Sequence, residues 1–250
     1  MTAIHQLGHQ SYNLMRTPEL SKFSGAVISP VNSPFEEVLN QIQDRTNLPE
    51  DFSFIFDPQL YSPRNSRDKL KNWDYFPNDL DTTDLTNVNW WKSLNEKLVD
   101  VIYRLDINSL CTPIIIPNNF SEDYYDLTIE VGEDLRRNSQ DTLDIYQTVI
   151  INIHSISNEL ELLTIASIIT KTRCKKIYLL FYAPSINSSR RELSEETELL
   201  YSMKLIQLLK ENNLQVTVGY SSTDFLLWKF AGAENCCTGK FFNLRRFEPS

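Results

Sequence analysis

Five short apolar runs, each ending on a polar residue or a turn, constrain the fold of this chain more than any other feature. They are residues 52–57 (FSFIFD), 112–118 (TPIIIPN), 148–154 (TVIINIH), 176–182 (KIYLLFY) and 214–219 (LQVTVG). Continuous runs of Ile, Val, Leu and Phe are typical of strands that are buried on both faces of a parallel sheet. Segments with helical periodicity separate these runs, so the sequence predicts alternating strands and helices in an α/β fold.

The strand count decides between two α/β architectures. Residues 25–30 (GAVISP) are predicted to form the first strand, residues 241–244 (FFNL) are a seventh candidate, and residues 2–20 are predicted to form a short helix and a connector. A chain of 250 residues suits an eight-stranded TIM barrel. We therefore expect a TIM-barrel-like fold that is either incomplete or hides one more strand within residues 58–89. The alternative is an open, doubly wound parallel sheet.

We interpret residues 1–250 as a single domain with one long insertion at about 58–89. This insertion is rich in Pro, Asn and Asp and contains Trp73, Tyr75 and Phe76. A loop of this length is uncommon in a compact domain unless it is functional or disordered. Because three exposed aromatic side chains would form an unusual apolar patch, we expect an ordered lid over the strand ends.

Charge and composition exclude several classes of protein. A net charge of −9 repels a phosphate backbone, so non-specific nucleic-acid binding is not expected. The apolar stretches fall far short of the ~20 residues that cross a bilayer, and the N-terminus lacks a signal-peptide pattern, so no membrane association is expected. Four irregularly spaced cysteines do not form a disulfide framework: Cys111, Cys174, Cys236 and Cys237. These features favour a cytoplasmic protein.

The sequence gives little support for a cofactor or a metal ion. Only 6 of 250 residues are glycine, about a third of the usual ~7%, which argues against a glycine-rich nucleotide cradle. The segment 232–240 ends in Thr-Gly-Lys like a phosphate loop but lacks the required glycine spacing. No C-x-x-C or H-E-x-x-H pattern is present, and His5 and His9 are interpreted as surface residues. We therefore predict neither a cofactor nor a metal site.

Polar residues at the predicted strand ends are the best candidates for chemistry. In parallel α/β folds, ligands bind outside the carboxyl ends of the strands. Asp57 and His154 each end a predicted strand and form the tentative catalytic pair, since a carboxylate and an imidazole are common general acids and bases. Each of them also has a structural alternative: Asp57 as a turn residue before Pro58, and His154 bonded to a loop carbonyl.

Further residues at the same rim are predicted to bind a ligand. Asn118, Asn119, Tyr182 and Tyr220 follow or end predicted strands and offer amide or hydroxyl groups. Arg245 and Arg246 follow the last candidate strand, and guanidinium groups match carboxylates and phosphates, so an anionic ligand would be attracted there. The alternative is that both arginines are solvated near a chain end.

Two functional hypotheses remain open. The first is a binding or interaction subunit of a larger assembly, with a protein partner or self-association, because the predicted barrel is short of strands and an open sheet edge must be covered. The second is an enzyme that acts on a small polar or nucleobase-containing substrate by general acid–base catalysis through Asp57 and His154. The nucleobase in this second hypothesis rests on fold type alone.

Overall fold

The eight strands form a closed parallel barrel. The computed structural model describes residues 2–8, 11–17, 23–62, 69–77, 86–182, 196–239 and 247. Each strand pairs in parallel with the next along the chain, and the eighth pairs with the first. The strands are β1 (Thr2–Gln6), β2 (Gly25–Ile28), β3 (Ser53–Phe56), β4 (Ser109–Cys111), β5 (Asp144–Asn152), β6 (Lys176–Tyr182), β7 (Gln215–Val218) and β8 (Asn235–Thr238). The TIM-barrel prediction is confirmed, whereas an incomplete barrel and an open sheet are both wrong.

Helices connect the strands on the outside of the barrel. They are α1 (Tyr12–Met15), α2 (Phe35–Gln43), α3 (Val88–Leu105), α4 (Glu122–Asn138), α5 (Glu159–Ile169), α6 (Glu196–Glu211) and α7 (Phe225–Ala231), with single-turn helices at Leu70–Asn72 and Ile153–Ile156. The Ser121 side chain accepts a hydrogen bond from the Tyr124 N–H and so caps the amino end of α4. None of the described helices is long and apolar enough to cross a membrane.

Three strands differ from the sequence prediction. β1 lies where a helix was expected and buries His5, so the interpretation of His5 as a surface residue is wrong. β8 lies in the segment that resembles a phosphate loop. Both strands are short and carry polar residues or cysteines, so they lack the apolar run that marks a buried strand. The strand predicted at 112–118 is also wrong, because β4 ends at Cys111. Pro113 and Pro117 have no N–H to donate to a neighbouring strand, so this apolar run continues as a loop.

The apolar core has one layer inside the barrel and one outside it. Ile4, Val27 and Ile55 are buried in the same cluster as Tyr178 of β6, which spans the interior to donate to Gln6 Oε1 at 3.2 Å. The alternate residues of β2, β3 and β4 are buried in a second cluster with residues of α2 and α3; they include Ile28, Phe56, Leu110, Val38, Leu98 and Ile102. This alternation follows from the two-residue period of a strand.

The described part of the 58–89 insertion packs against the carboxyl ends of β2 and β3. The Trp73 indole N–H donates to the carbonyl oxygens of Pro30 and Ser33 at 3.2 and 3.1 Å, and the Tyr75 hydroxyl donates to the Pro58 carbonyl at 3.0 Å. These two aromatic side chains and Phe76 are buried. No strand occurs in residues 58–62, 69–77 or 86–89, so the missing strands lie elsewhere.

Candidate functional site

Asp57 lies at the carboxyl end of β3, inside the mouth of the barrel. It follows the last residue of the strand directly, and only 1% of its surface is exposed. The Tyr61 hydroxyl lies 2.8 Å from both carboxyl oxygens, and the Gln59 backbone N–H donates to Oδ1 at 3.0 Å. The turn bond expected after Asp57 is therefore present, and the carboxyl group also has a tyrosine partner.

The environment of Asp57 makes its carboxyl group titrate near neutral pH. Burial raises the pKa of Asp57 to about 7, although the hydrogen bonds from Tyr61 and Gln59 favour the ionised form and act in the opposite direction. The same burial, together with the charge of Asp57, raises the pKa of Tyr61 well above that of a free phenol. Tyr61 is therefore a hydrogen-bond donor throughout the neutral range, and Asp57 can both accept and release a proton there.

A hydrogen-bonded bridge crosses the mouth next to Asp57. Gln59 Nε2 donates to the Tyr220 hydroxyl at 3.1 Å, and Gln59 Oε1 accepts from the Ser29 hydroxyl at 2.8 Å. Gln59 and Tyr220 both have a left-handed backbone, with φ of 53° and 52°. Bulky residues rarely adopt this conformation, which costs of order 1 kcal/mol each and is concentrated at functional sites.

The floor beneath Asp57 consists of side chains from three other strands. The charge of Asp57 contributes to raising the pKa of Cys111 on β4, of Tyr178 on β6 and of Cys237 on β8, with burial as the largest cause in each case. The strand predicted at 112–118 would have placed Cys111 just before its amino end, whereas Cys111 is the last residue of β4. All four cysteines are free and buried, and none of these thiols has a lowered pKa that would make it a ready nucleophile.

The ring of Phe247 packs among three tyrosines at the carboxyl end of the barrel. Its centroid lies 4.8 Å from that of Tyr61, 5.3 Å from Tyr220 and 6.4 Å from Tyr182, with interplanar angles of 89°, 54° and 79°. Phe247 is 6% exposed. We call these three tyrosines the aromatic cage. Because Tyr61 also contacts the Asp57 carboxyl group, the cage and the buried acid form one continuous site.

His154 lies beyond the end of β5, in the single-turn helix that follows it. Its side chain is 46% exposed, and Nδ1 lies 3.3 Å from Glu198 Oε1 on α6. The Asp57 carboxyl group bonds to Tyr61 and Gln59, so the structure does not join the predicted catalytic pair by a direct hydrogen bond. Both residues follow strands at the same end of the barrel, and the prediction that a substrate links them stays a prediction.

The other predicted binding residues fall into three groups. Tyr182 and Tyr220 belong to the aromatic cage. Asn118 and Asn119 are exposed in the loop after β4. Arg245 and Arg246 lie outside the described residues.

Sequence reasoning found the turn bond at Asp57 but missed its tyrosine partner and the side-chain bridge of Gln59. Gln59 and Tyr61 stand two and four residues after it, and a search for hydroxyl or amide donors just beyond the strand would have found both side chains. Phe247 gave no such signal, because its contacts join residues far apart in the chain. In the part of the chain that the structure describes, no three His, Cys, Asp or Glu side chains form a group that could hold a metal ion.

Comparison with known proteins gives the fold and no closer relationship. Neither a protein-family model nor a curated protein matches this sequence. A sugar phosphate isomerase/epimerase from Parabacteroides distasonis is 10% identical, with a TM-score of 0.52 over 95% of this chain and 85% of its own. A D-allulose 3-epimerase from Methylomonas sp. is 14% identical, with a TM-score of 0.48 over 95% and 83%. At these identities the likeness shows the TIM-barrel fold alone.

The prediction of a non-catalytic binding subunit is wrong. It rested on a barrel short of strands with an open edge that a partner would cover, and the pairing of β8 with β1 closes that edge. With that edge closed, the reason for preferring an interaction subunit to the alternative hypothesis of an enzyme no longer holds.

Proposed function

We propose that this protein is an enzyme that transfers a proton on a small polar or nucleobase-containing substrate, with Asp57 as its general acid or base. One observation carries the proposal: a carboxyl group with a pKa of about 7 is buried at the carboxyl end of a TIM-barrel strand. General acid–base groups work best when their pKa lies near the working pH. Catalytic residues of such barrels come from this end of the strands.

Tyr61 has a supporting role in this proposal. Its hydroxyl contacts both oxygens of Asp57 at 2.8 Å, so it orients the carboxyl group and stabilises the ionised form. When a substrate proton moves to Asp57, this hydroxyl becomes free to donate to the substrate instead. The tyrosine is therefore a positioning residue that gains a direct contact only when Asp57 is protonated.

His154 is the second candidate for proton transfer. Glu198 lies close enough to Nδ1 to fix the orientation of the imidazole ring, and carboxylate partners commonly do this for functional histidines. A substrate that reaches from Asp57 to the rim would meet His154 on its way to solvent. Asn118 and Asn119 would then bind the exposed part of the same substrate.

Exchange of substrate hydrogen in heavy water tests the proposal. The full-length protein is incubated in D2O with a panel of aldoses, ketoses, sugar phosphates and nucleosides, and ¹H NMR follows the loss of carbon-bound hydrogen or the appearance of product. The fold shared with a sugar phosphate isomerase/epimerase is the reason to include sugars and sugar phosphates in the panel. We expect one class of compound to react and Asp57→Asn to lower the rate by about 100-fold or more.

Two matched variants make the result specific. Asp144→Asn removes a carboxyl group at the amino end of β5, where it pairs with Lys176, and should leave the rate unchanged. His154→Gln should lower the rate by a smaller factor of about 10 if the imidazole transfers a proton. An Asp57→Asn variant that keeps the full rate would contradict the proposal.

We further infer that the enzyme works in the cytoplasm. Four reduced thiols and the absence of disulfides among the described residues support a reducing compartment.

A further inference from the structure

We propose that the aromatic cage is the binding site for a planar heteroaromatic ring of the substrate, and that Phe247 occupies this site in the structure described here. The inference rests on the proposed function and narrows its substrate to a compound containing a nucleobase or a similar ring. The carrying observation is that a planar six-membered ring, that of Phe247, already lies in the cage, one of whose tyrosines, Tyr61, bonds to Asp57.

The geometry of the cage suits a flat ring. Tyr61 and Tyr182 are close to perpendicular to Phe247, at 89° and 79°, and Tyr220 is inclined at 54°. Edge-to-face contacts at 4.5–7 Å are the arrangement that aromatic rings prefer. Phe120 stacks on Tyr182 at 6.0 Å and 30°, so one wall of the cage is supported by a second ring.

The polar groups of the cage favour a ring with few hydrogen-bonding atoms. Two of its hydroxyls are already engaged, that of Tyr61 with Asp57 and that of Tyr220 with Gln59. A saturated sugar ring would bring several hydroxyls that lose their water and need partners, which costs free energy when none is supplied. A heteroaromatic ring brings two apolar faces and a few polar edge atoms, and Asp57 lies within the same site to pair with a ring N–H.

Phe247 and a ligand ring cannot occupy the cage together. Binding therefore requires Phe247 to leave, and the observed affinity is reduced by the fraction of molecules in which the cage is empty. Replacing Phe247 with a smaller residue removes this competition. Affinity for a ring compound should then rise, whereas loss of a merely structural side chain would not improve binding.

The test measures binding of purine, glucose and tetramethylammonium to the full chain by ligand-observed NMR and tyrosine fluorescence. Phe247→Ala is expected to bind purine about 10-fold more tightly than the unmodified protein. Adding Tyr182→Ala to this variant should reverse the gain, since base stacking on an aromatic side chain is worth roughly 5- to 100-fold. Phe230→Ala removes an exposed ring on α7 and should change nothing.

Each outcome supports or overturns the proposal. Phe247→Leu, which keeps an apolar side chain but no flat ring, replaces Phe247→Ala if the alanine variant is unfolded at the assay temperature. No gain for purine in a folded variant, a gain that survives Tyr182→Ala, or a preference for glucose or tetramethylammonium would each overturn it. Because no turnover is measured, failure here is separate from failure of Asp57→Asn in the exchange assay.

Discussion

The two ends of the barrel use the left-handed backbone conformation differently. At the amino end, the described non-glycine residues with positive φ lie in the turns that lead from helices into strands: Asn47, Asp106, Gln140, Asp141 and Asn213. Asn and Asp adopt this conformation more readily than other residues, and helices commonly end in it. At the carboxyl end, the residues with positive φ are Gln59 and Tyr220. They end no helix, and they bond to each other beside Asp57.

This difference separates residues that build the fold from residues that shape the site. The amino-end turns satisfy the last carbonyl groups of helices, so their conformation has a local structural reason. Gln59 and Tyr220 have no such reason, and the strain they carry is balanced by the bridge across the mouth. Strained residues, a buried acid and the aromatic cage all lie at the end of the barrel where enzymes of this fold act.

The largest expected effect is on the pH dependence of stability after Asp57→Asn. The pKa of Asp57 is about 7 when folded and about 3.9 when unfolded, so the folded state binds the proton more tightly and loses about 4 kcal/mol of stability as the pH rises from about 4 to 7. Asn cannot ionise, so Asp57→Asn escapes this loss. Its free energy of unfolding relative to the unmodified protein should therefore increase by about 4 kcal/mol as the pH rises from about 4 to 7. Urea unfolding at a series of pH values measures it.

Asp144→Asn at the amino end is the matched control for this experiment. Asp144 is partly exposed and pairs with Lys176, and an exposed ion pair contributes about 1 kcal/mol or less. Asp144→Asn should therefore change the free energy of unfolding only slightly. The pKa of Asp57 is not raised if the difference in free energy of unfolding between Asp57→Asn and the unmodified protein stays constant between pH 4 and pH 8. That result would contradict the contrast drawn between the two ends of the barrel.

Two glycines test how tightly each end is packed. A Cβ on Gly25, at the start of β2, would lie 2.5 Å from the backbone oxygen of Ser53, and one on Gly219, after β7, would lie 2.4 Å from Leu180 Cδ2 and 2.7 Å from the Tyr178 hydroxyl. Backbone cannot move aside as side chains can. We expect Gly25→Ala to lower the free energy of unfolding by about 3 kcal/mol and Gly219→Ala by about 1–2 kcal/mol.

For activity the order should be reversed: Gly219→Ala should lose more activity than Gly25→Ala. Gly219→Ala displaces Tyr178 beneath Asp57 and should slow the exchange reaction, whereas folded Gly25→Ala should keep its rate. Thermal unfolding and the deuterium exchange assay together measure both effects. Equal activity losses in the two variants would show that the carboxyl end is no more sensitive than the amino end.

The smallest effect on stability is expected when the left-handed residues become glycine. Gln59→Gly relieves about 1 kcal/mol of strain but loses its hydrogen bonds to Ser29 and Tyr220, so the free energy of unfolding should change by less than about 1 kcal/mol. Its activity should nevertheless fall about 10-fold, because the bridge beside Asp57 is lost.

Asn213→Gly is the corresponding change at the amino end. Asn213→Gly should change the free energy of unfolding by less than about 0.5 kcal/mol and should leave the activity unchanged. Urea unfolding and the exchange assay compare the two variants directly. A Gln59→Gly variant with full activity would assign the bridge to structure alone.

The sequence predicts the barrel better than the site. Long apolar runs identified β3, β5, β6 and β7, because strands buried on both faces must be continuously apolar. β1 and β8 carry few apolar residues. They are stabilised by pairing with each other to close the barrel, and a local sequence pattern cannot predict such a long-range contact. The isoleucine run between Pro113 and Pro117 had the apolarity of a strand, but the two prolines lack the N–H groups of one.

The same limit applies to the candidate site. Asp57 could be found because its position at a strand end follows from local sequence. The bridge between Gln59 and Tyr220 joins residues 161 positions apart, and it exists only once the barrel has closed. The raised pKa of Asp57 likewise depends on burial by residues from several strands, so the sequence alone could not predict it.

The most direct test of the central claim is a ¹³C NMR titration of the Asp57 carboxyl carbon in the folded protein. Asp57→Asn identifies the resonance, and Tyr61→Phe should raise its pKa further because a hydrogen bond to the ionised form is lost. We predict that the unmodified carboxyl group titrates at about pH 7. Titration near pH 4, with Tyr61→Phe leaving it unchanged, would contradict the assignment of Asp57 as the acid–base group of the barrel mouth.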